Sequence, residues 1–423
     1  MRRTVALLGL FMVVSLARPA SAGDILIDGV PLPADAPSIA GATAAAPPSP
    51  WLGAWTGAWD GVLKHILVVE SVAADGDARV IYAYGDNSAF GVTPGWVRRN
   101  GKVQGQMLTI DSPVAAIAYN LTGATSLRGT YTRGGNVSSA VLARANFSEL
   151  IKPDAKVAWT PGLSEMAATD IVEDGKPVRL EIKLFKPAGA GPFPLAIVNH
   201  GSTGDGKSPA VFTQTWVAYD LAMALNERGY LVAFPHRRGR GRSDGLYDEG
   251  FAVDRTKGYT CDTDISLGGA NRALGDLDAA IAALRRRSDV TAAPVLLAGQ
   301  SRGGILAMAY AGAHPDQIAG VINFVGGWMG EGCPTASQIN RTLFKQGAQY
   351  TKPTLWLYGN GDPFYSISHS RANFAAFQSA GGQGTFLEFD VPGGFGHNVI
   401  GNPGLWSTPV KDYLRALQAS GTK

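Results

Sequence analysis

Charge is scarce in this sequence. Only 17% of its 423 residues are Asp, Glu, Lys or Arg, against 45% hydrophobic ones, which excludes a disordered polyelectrolyte and fits a globular chain. Cysteine is scarcer still, with Cys261 and Cys333 alone. Neither has the Cys-x-x-Cys spacing of a zinc site and no histidines cluster with them, so neither a metal nor an organic cofactor is expected. Beyond the N-terminal region no apolar run reaches the roughly 18 residues that a membrane-spanning helix needs, so a soluble protein with no integral membrane anchor is expected. The 54 Gly and 25 Pro follow no three-residue period, which excludes a collagen-like chain. An excess of one charge sign is also lacking. The balance is 37 Lys+Arg against 34 Asp+Glu, too even to indicate a nucleic-acid surface.

What is present starts with an export pattern. Met1 to Ala22 carries Arg2 and Arg3, an apolar run from Val5 to Leu16, and Ala20-Ser21-Ala22, the three regions of a secretory signal peptide. The run is too short to anchor the chain comfortably, and Arg2-Arg3 leaves the Sec and twin-arginine routes both open. Cleavage would remove three arginines and no acid, leaving 34 basic against 34 acidic residues. The expected location is periplasmic or secreted. In such an oxidising compartment Cys261 and Cys333 are expected to pair, the alternative being two separate buried thiols.

Residues 23–50 are rich in Ala and Pro and predict a partly extended linker. From 51 to about 150, short apolar or alternating runs (66–69, 79–84, 107–110, 115–121, 127–131) are separated by Asp75-Gly76, Asn100-Gly101 and Gly134-Gly135. This predicts a small antiparallel β domain, barrel or sandwich, with tight hairpins. Trp51, Trp55 and Trp59 stand four residues apart among glycines. The stretch resembles the opening strand of small lipocalin-like barrels, and the indoles are expected to plug the barrel rather than to form a platform for a sugar or polymer.

Over 151–423 strand-like and helix-like runs alternate, predicting a mostly parallel sheet covered on both faces with its site at the carboxyl ends of the strands. The predicted helices include 211–228 and 409–419. The predicted strand 295–299 runs into Gly299-Gln300-Ser301-Arg302-Gly303-Gly304 and then a helix. This is G-x-S-x-G in its strand–turn–helix context, which exposes the serine hydroxyl on a sharp turn. A serine nucleophile needs a base and the base an orienting acid, in the chain order Ser, acid, His. Asp362, in Gly361-Asp362-Pro363 after the strand 354–358, and His397, after the strand 385–389, supply them. Asp390 and Glu331 are the competing acids. His369 is placed on a helix and expected exposed. The strand 195–199 leads into His200-Gly201-Ser202, which predicts the Ser202 and Arg302 amides as oxyanion donors, with His200 holding the turn.

These motifs, with the Pro235 to Gly245 segment, resemble the α/β-hydrolase superfamily, in its dienelactone-hydrolase and prolyl-oligopeptidase branch. The resemblance covers about residues 155–423. Dienelactone hydrolases proper carry cysteine where Ser301 stands, so the likeness moves towards a serine esterase. It implies an exported serine hydrolase cleaving carboxylic esters, small or polymer-borne, through an acyl-enzyme on Ser301, Asp362 and His397, supported by His200, Gly201, Gly299 and Gly303. The alternatives are a prolyl-oligopeptidase-type peptidase and a non-enzymatic polymer-binding protein on a vestigial hydrolase fold. The family's lid lies near residues 261 and 333, so a Cys261–Cys333 bond would pin it. Arg237, Arg238, Arg240 and Arg242 are expected in loop salt bridges with acids such as Asp244 and Asp248 rather than on an anion.

Overall fold

A computed structural model describes residues 18–19, 24–36, 49–87, 92–133, 136–145, 163–187, 189–392 and 394–420. The chain divides into two compact units, Met1–Pro161 and Gly162–Lys423.

In the first unit a two-residue strand β1 (Arg18–Pro19) and a hairpin of β2 (Ile25–Ile27) and β3 (Val30–Leu32) precede eight longer strands. These are β4 (Gly53–Trp59), β5 (Leu63–Val72), β6 (Asp77–Tyr84), β7 (Gly95–Gln104), β8 (Met107–Ile110), β9 (Ala116–Gly123), β10 (Ser126–Arg133) and β11 (Asn136–Ala145). Each pairs antiparallel with the next, and β11 returns to β4 with Ala140 opposite Trp59. The result is a closed eight-stranded up-and-down barrel, a closure that removes free edges. Trp51, Trp55 and Trp59 are buried with Leu67, Leu127 and Leu142 in its interior, so the indoles do plug it.

Two sequence expectations need correcting here. Residues 23–50 are not all linker, because Ile27, Val30, Leu32 and Ala36 are buried with Ala54, Ile66, Val68, Ile81 and Ala83 in a second small core. The hairpin turns on Asp28-Gly29, both at positive φ, and an Asp-Gly pair between apolar residues is a strong hairpin signal that the Ala/Pro-rich surroundings obscured. Asn100-Gly101 is not a turn but lies inside β7. A Cβ on Gly101 would stand 2.5 Å from the Thr109 carbonyl oxygen, so this glycine permits a close approach of β7 and β8. The stretch read as an export signal contributes β1, with Arg18 opposite Trp96. The rest of that stretch, Gly134-Gly135 and the expected domain boundary near 150 lie outside the described residues.

The second unit has eight strands in the order β12-β13-β15-β14-β16-β17-β18-β19. They are β12 (Leu163–Glu173), β13 (Lys176–Phe185), β14 (Leu195–Asn199), β15 (Leu231–Pro235), β16 (Val295–Gln300), β17 (Ile318–Phe324), β18 (Thr354–Gly359) and β19 (Gly384–Phe389). The β12–β13 and β13–β15 pairs are antiparallel and the rest of the sheet is parallel. Strands β14, β15, β16 and β18 are buried at every residue, as expected for parallel strands covered on both faces. The helix expected over 211–228 is two pieces, Pro209–Phe212 and Tyr219–Asn226. Between them the Trp216 amide donates to His236 Nε2 at 2.6 Å, which takes it out of helical pairing, and the Thr215 hydroxyl donates to Glu181.

Candidate active site

Strand β16 ends at Gln300 and a helix begins at Arg302 (Arg302–Ala313). Ser301 between them sits at φ 57°, ψ −123°, a strained conformation for a residue with a Cβ, of the kind that concentrates at functional sites. Close packing makes the turn possible. A Cβ on Gly299 would meet Gly303 at 2.2 Å, and one on Gly303 would meet the Asn199 carbonyl oxygen at 2.0 Å. Gly201 lies so close that a Cβ there would stand 3.1 Å from that of Ser301, which puts the loop after β14 against the serine. Among the described residues the Ser202 and Arg302 amides have no acceptor, and the latter opens a helix, where partial positive charge gathers.

The loops after β18 and β19 carry Asp362 and His397, joined at 2.7 Å between Oδ2 and Nδ1. Both are buried. Asp362 Oδ1 accepts the Phe364 and Tyr365 amides at 2.8 and 3.1 Å. With Nδ1–H facing the carboxylate, Nε2 of His397 is the available base. No hydrogen bond joins it to Ser301 among the described residues; such bonds are often long in unliganded sites and tighten around substrate. The Tyr365 hydroxyl donates to the Gly327 carbonyl at 2.7 Å.

The competitors fall away on contacts. Asp390 accepts from Asn360 Nδ2 at 2.8 Å, and Glu331 accepts the Ser366 amide. His369 is buried, contrary to expectation, because its helix (Ile367–Ser379) turns it towards Asn340, whose side-chain amide meets its Nε2 at 3.0 Å. His200 holds its turn: its Nε2 accepts the Arg237 amide at 3.2 Å, and its Nδ1 lies 2.8 Å from the Gly201 carbonyl and 3.0 Å from Arg237 Nη2. Burial, reinforced by Arg237 and Arg240, drives its pKa well below the usual histidine value.

The arginine run is engaged in salt bridges, though not with the acids expected. Arg237 pairs with Glu249, Arg238 with Glu173 and Asp276, and Arg242 with Glu181. Arg240 donates to the Val211 carbonyl. Asp244 and Asp248 pair instead with Arg179 and Arg255. Cys261 and Cys333 form a disulfide with a Cα separation of 5.6 Å, inside the usual range.

Sequence reasoning missed the residues packed around the elbow. The Arg302 guanidinium lies between the Tyr259 and Trp328 rings, 3.7 and 4.4 Å from their centroids. It donates to the Trp328 carbonyl at 2.9 Å, the Glu249 carbonyl at 2.9 Å and the Glu249 carboxylate at 3.3 Å. Burial raises the Glu249 pKa, but Arg237 and Arg302 outweigh it and the carboxyl is held below its usual value. The usable signal was the loop Tyr247 to Cys261, which sets aromatic and acidic residues beside a cysteine.

The family described as serine aminopeptidase, S33, matches residues 213–328, and no curated protein matches. Among solved structures the chain is similar to Est1E from Butyrivibrio proteoclasticus, solved with ferulic acid bound, at 20% identity and TM-score 0.41, covering 58% of this chain and 97% of that one. It is similar to the Pyrococcus furiosus esterase Pf2001, at 13% identity and TM-score 0.42, covering 60% and 90%. It is also similar to a structure from a study of two prolyl endopeptidases, at 15% identity and TM-score 0.41, covering 84% of this chain and 51% of that one. Sheet order, serine elbow and the histidine–carboxylate pair define a serine hydrolase of the α/β-hydrolase type, preceded by a small antiparallel barrel.

Proposed function

We propose that the chain hydrolyses carboxylic esters through an acyl-enzyme on Ser301. His397 takes the serine proton and returns it to the leaving alcohol, while Asp362 holds the imidazole tautomer and stabilises its cation. The Ser202 and Arg302 amides receive the oxyanion. No metal or organic cofactor enters these steps. The Phe364 ring, 41% exposed and edge-on to His397 at 4.8 Å, offers the substrate an apolar surface.

The observation that carries ester over aminopeptide substrates is the buried charge beside the elbow. An aminopeptidase must hold an α-ammonium group, which calls for an available carboxylate near Ser301. Glu249 is instead clamped between Arg237 and Arg302, with Arg240 also buried nearby. Three guanidinium groups to one carboxylate disfavour a cationic substrate and suit a neutral or anionic ester. The peptidase reading keeps the support of the family match over 213–328. Export to the periplasm or medium is supported by the Met1–Ala22 pattern and the disulfide, and no helix among the described residues is long and apolar enough to cross a membrane. A nucleic-acid partner is disfavoured because the arginine run is already engaged.

Labelling with a fluorophosphonate probe, beside Ser301→Ala, tests the enzyme reading. Absence of Ser301-dependent labelling sinks both hydrolase readings and leaves the polymer-binding one. Short-chain, aromatic and sugar acetyl esters assayed beside a Gly-Pro amide then divide esterase from peptidase, and faster turnover of the amide reverses the choice.

A further inference from the structure

The two amides assigned to the oxyanion come from separate elements, Ser202 from the loop after β14 and Arg302 from the elbow after β16. A third segment, the loop from Tyr247 to Cys261, is bonded to both. On the elbow side Arg302 Nη1 meets the Glu249 backbone carbonyl and carboxylate. On the oxyanion-loop side the same carboxylate holds Arg237 Nε at 2.5 Å, and Arg237 donates to the His200 and Gly201 carbonyls at 3.0 and 3.3 Å. A second strut is neutral: the Tyr259 hydroxyl contacts Thr203 Oγ1 at 2.8 Å, the Thr203 amide at 3.3 Å and the Tyr247 hydroxyl at 2.9 Å, and Tyr247 in turn donates to Glu249 at 3.0 Å. The Tyr259 ring stacks on Arg302. The disulfide at Cys261 ties the end of this segment to Cys333.

We propose that Arg302, Glu249, Arg237 and Tyr259 form a brace that sets the spacing of the two oxyanion donors, with Tyr259 as its positioning residue next to Ser202. The inference rests on the proposed ester hydrolysis and adds the parts that hold its oxyanion site in shape. These side chains touch no reacting atom. Their effect belongs to the transition state, because the donors must meet the oxyanion rather than the ground-state carbonyl. A loop displaced by a fraction of an ångström therefore lowers kcat more than it raises KM.

The test is Tyr259→Phe, which keeps the ring on Arg302 and deletes only the hydroxyl. With 4-nitrophenyl acetate, kcat is expected to fall about 10- to 100-fold, the range for misplaced catalytic groups, with KM within about two-fold. The inhibition constant of benzeneboronic acid, which forms a tetrahedral adduct on serine, is expected to rise by the same factor as kcat falls. Fluorophosphonate labelling and the shape of the pH profile are expected to persist, since Asp362 and His397 are untouched. Arg302→Lys keeps the cation and should recover part of the activity that Arg302→Met loses. Wild-type kcat in folded Tyr259→Phe overturns the brace, as does a fall in kcat with unchanged boronate affinity. If Tyr259→Phe does not fold, Thr203→Val, which removes the far end of the same contact, must give the same kcat and boronate loss, and wild-type values there refute the proposal. A wild-type protein that shows no Ser301-dependent labelling overturns the ester reading itself, a result distinct from a labelled enzyme with unchanged variants.

Discussion

Both units bury histidine, and His65 in one and His397 in the other are used in opposite ways. In the barrel, His65 is wedged among Trp59, Tyr82 and Tyr119, with Nδ1 against the Ala83 carbonyl and Nε2 against the Tyr119 hydroxyl, both at 2.7 Å. Both ring nitrogens are spent on neutral partners. In the hydrolase unit, His397 has a carboxylate on Nδ1 and, among the described residues, no partner on Nε2. Burial alone thus does not mark a base. A carboxylate on one nitrogen and an open second nitrogen do, because the first stabilises the imidazolium and the second can take a proton.

The largest way to test this contrast is at the acid. Asp362→Asn should lower kcat by about 10⁴ with the barrel unchanged, measured by ester turnover beside near-ultraviolet circular dichroism. Full activity in that variant would mean that His397 is oriented otherwise. Next comes the crosslink, which only the hydrolase unit has. Replacing Cys261 and Cys333 with Ser frees a span of 72 residues and should cost about 4 kcal/mol by the chain-entropy estimate. Hydrogen exchange should register the loss in 162–423 and not in the barrel.

A smaller effect belongs to His65. Burial lowers its pKa from 6.5 to about 4, against the opposing bond to Ala83, so the folded barrel binds fewer protons than the unfolded chain. The stability it lends is whole above pH 6.5 and is lost as pH falls towards 4, amounting to about 3 kcal/mol at most. Barrel stability followed by exchange at pH 7 and 4.5 should fall in the wild type and fall less in His65→Gln, while that variant keeps wild-type kcat at pH 7. The smallest expected effect is Lys64→Met, which breaks a half-exposed pair with Asp28 and should change stability by less than about 1 kcal/mol in a thermal melt.

Several features were legible because they are local. The serine elbow needs glycines two residues either side of Ser301, the β–α alternation is a change of period, and three tryptophans at spacing four announce a filled barrel. The order Ser301, Asp362, His397 follows from where strands end. What was not legible depends on partners far away in sequence. Glu249 and Arg302 are 53 residues apart, and Tyr259 and Thr203 56. Asn100-Gly101 has turn composition yet runs through a strand because Thr109 on the neighbouring strand demands a glycine.

By itself, then, the sequence determined the kinds of element, the serine elbow and the edge of the sheet that carries it, since backbone turns and periodicity are set by neighbouring residues. Tertiary structure decided the rest. It closed the barrel by pairing β11 with β4, buried His369 against Asn340, and chose Asp362 over Asp390 by giving one carboxylate the histidine and the other an asparagine. It also placed a glutamate between two arginines behind the serine. The physical reason is that a charge or hydroxyl takes its role from whatever desolvates and bonds it, and those partners arrive only when distant segments pack.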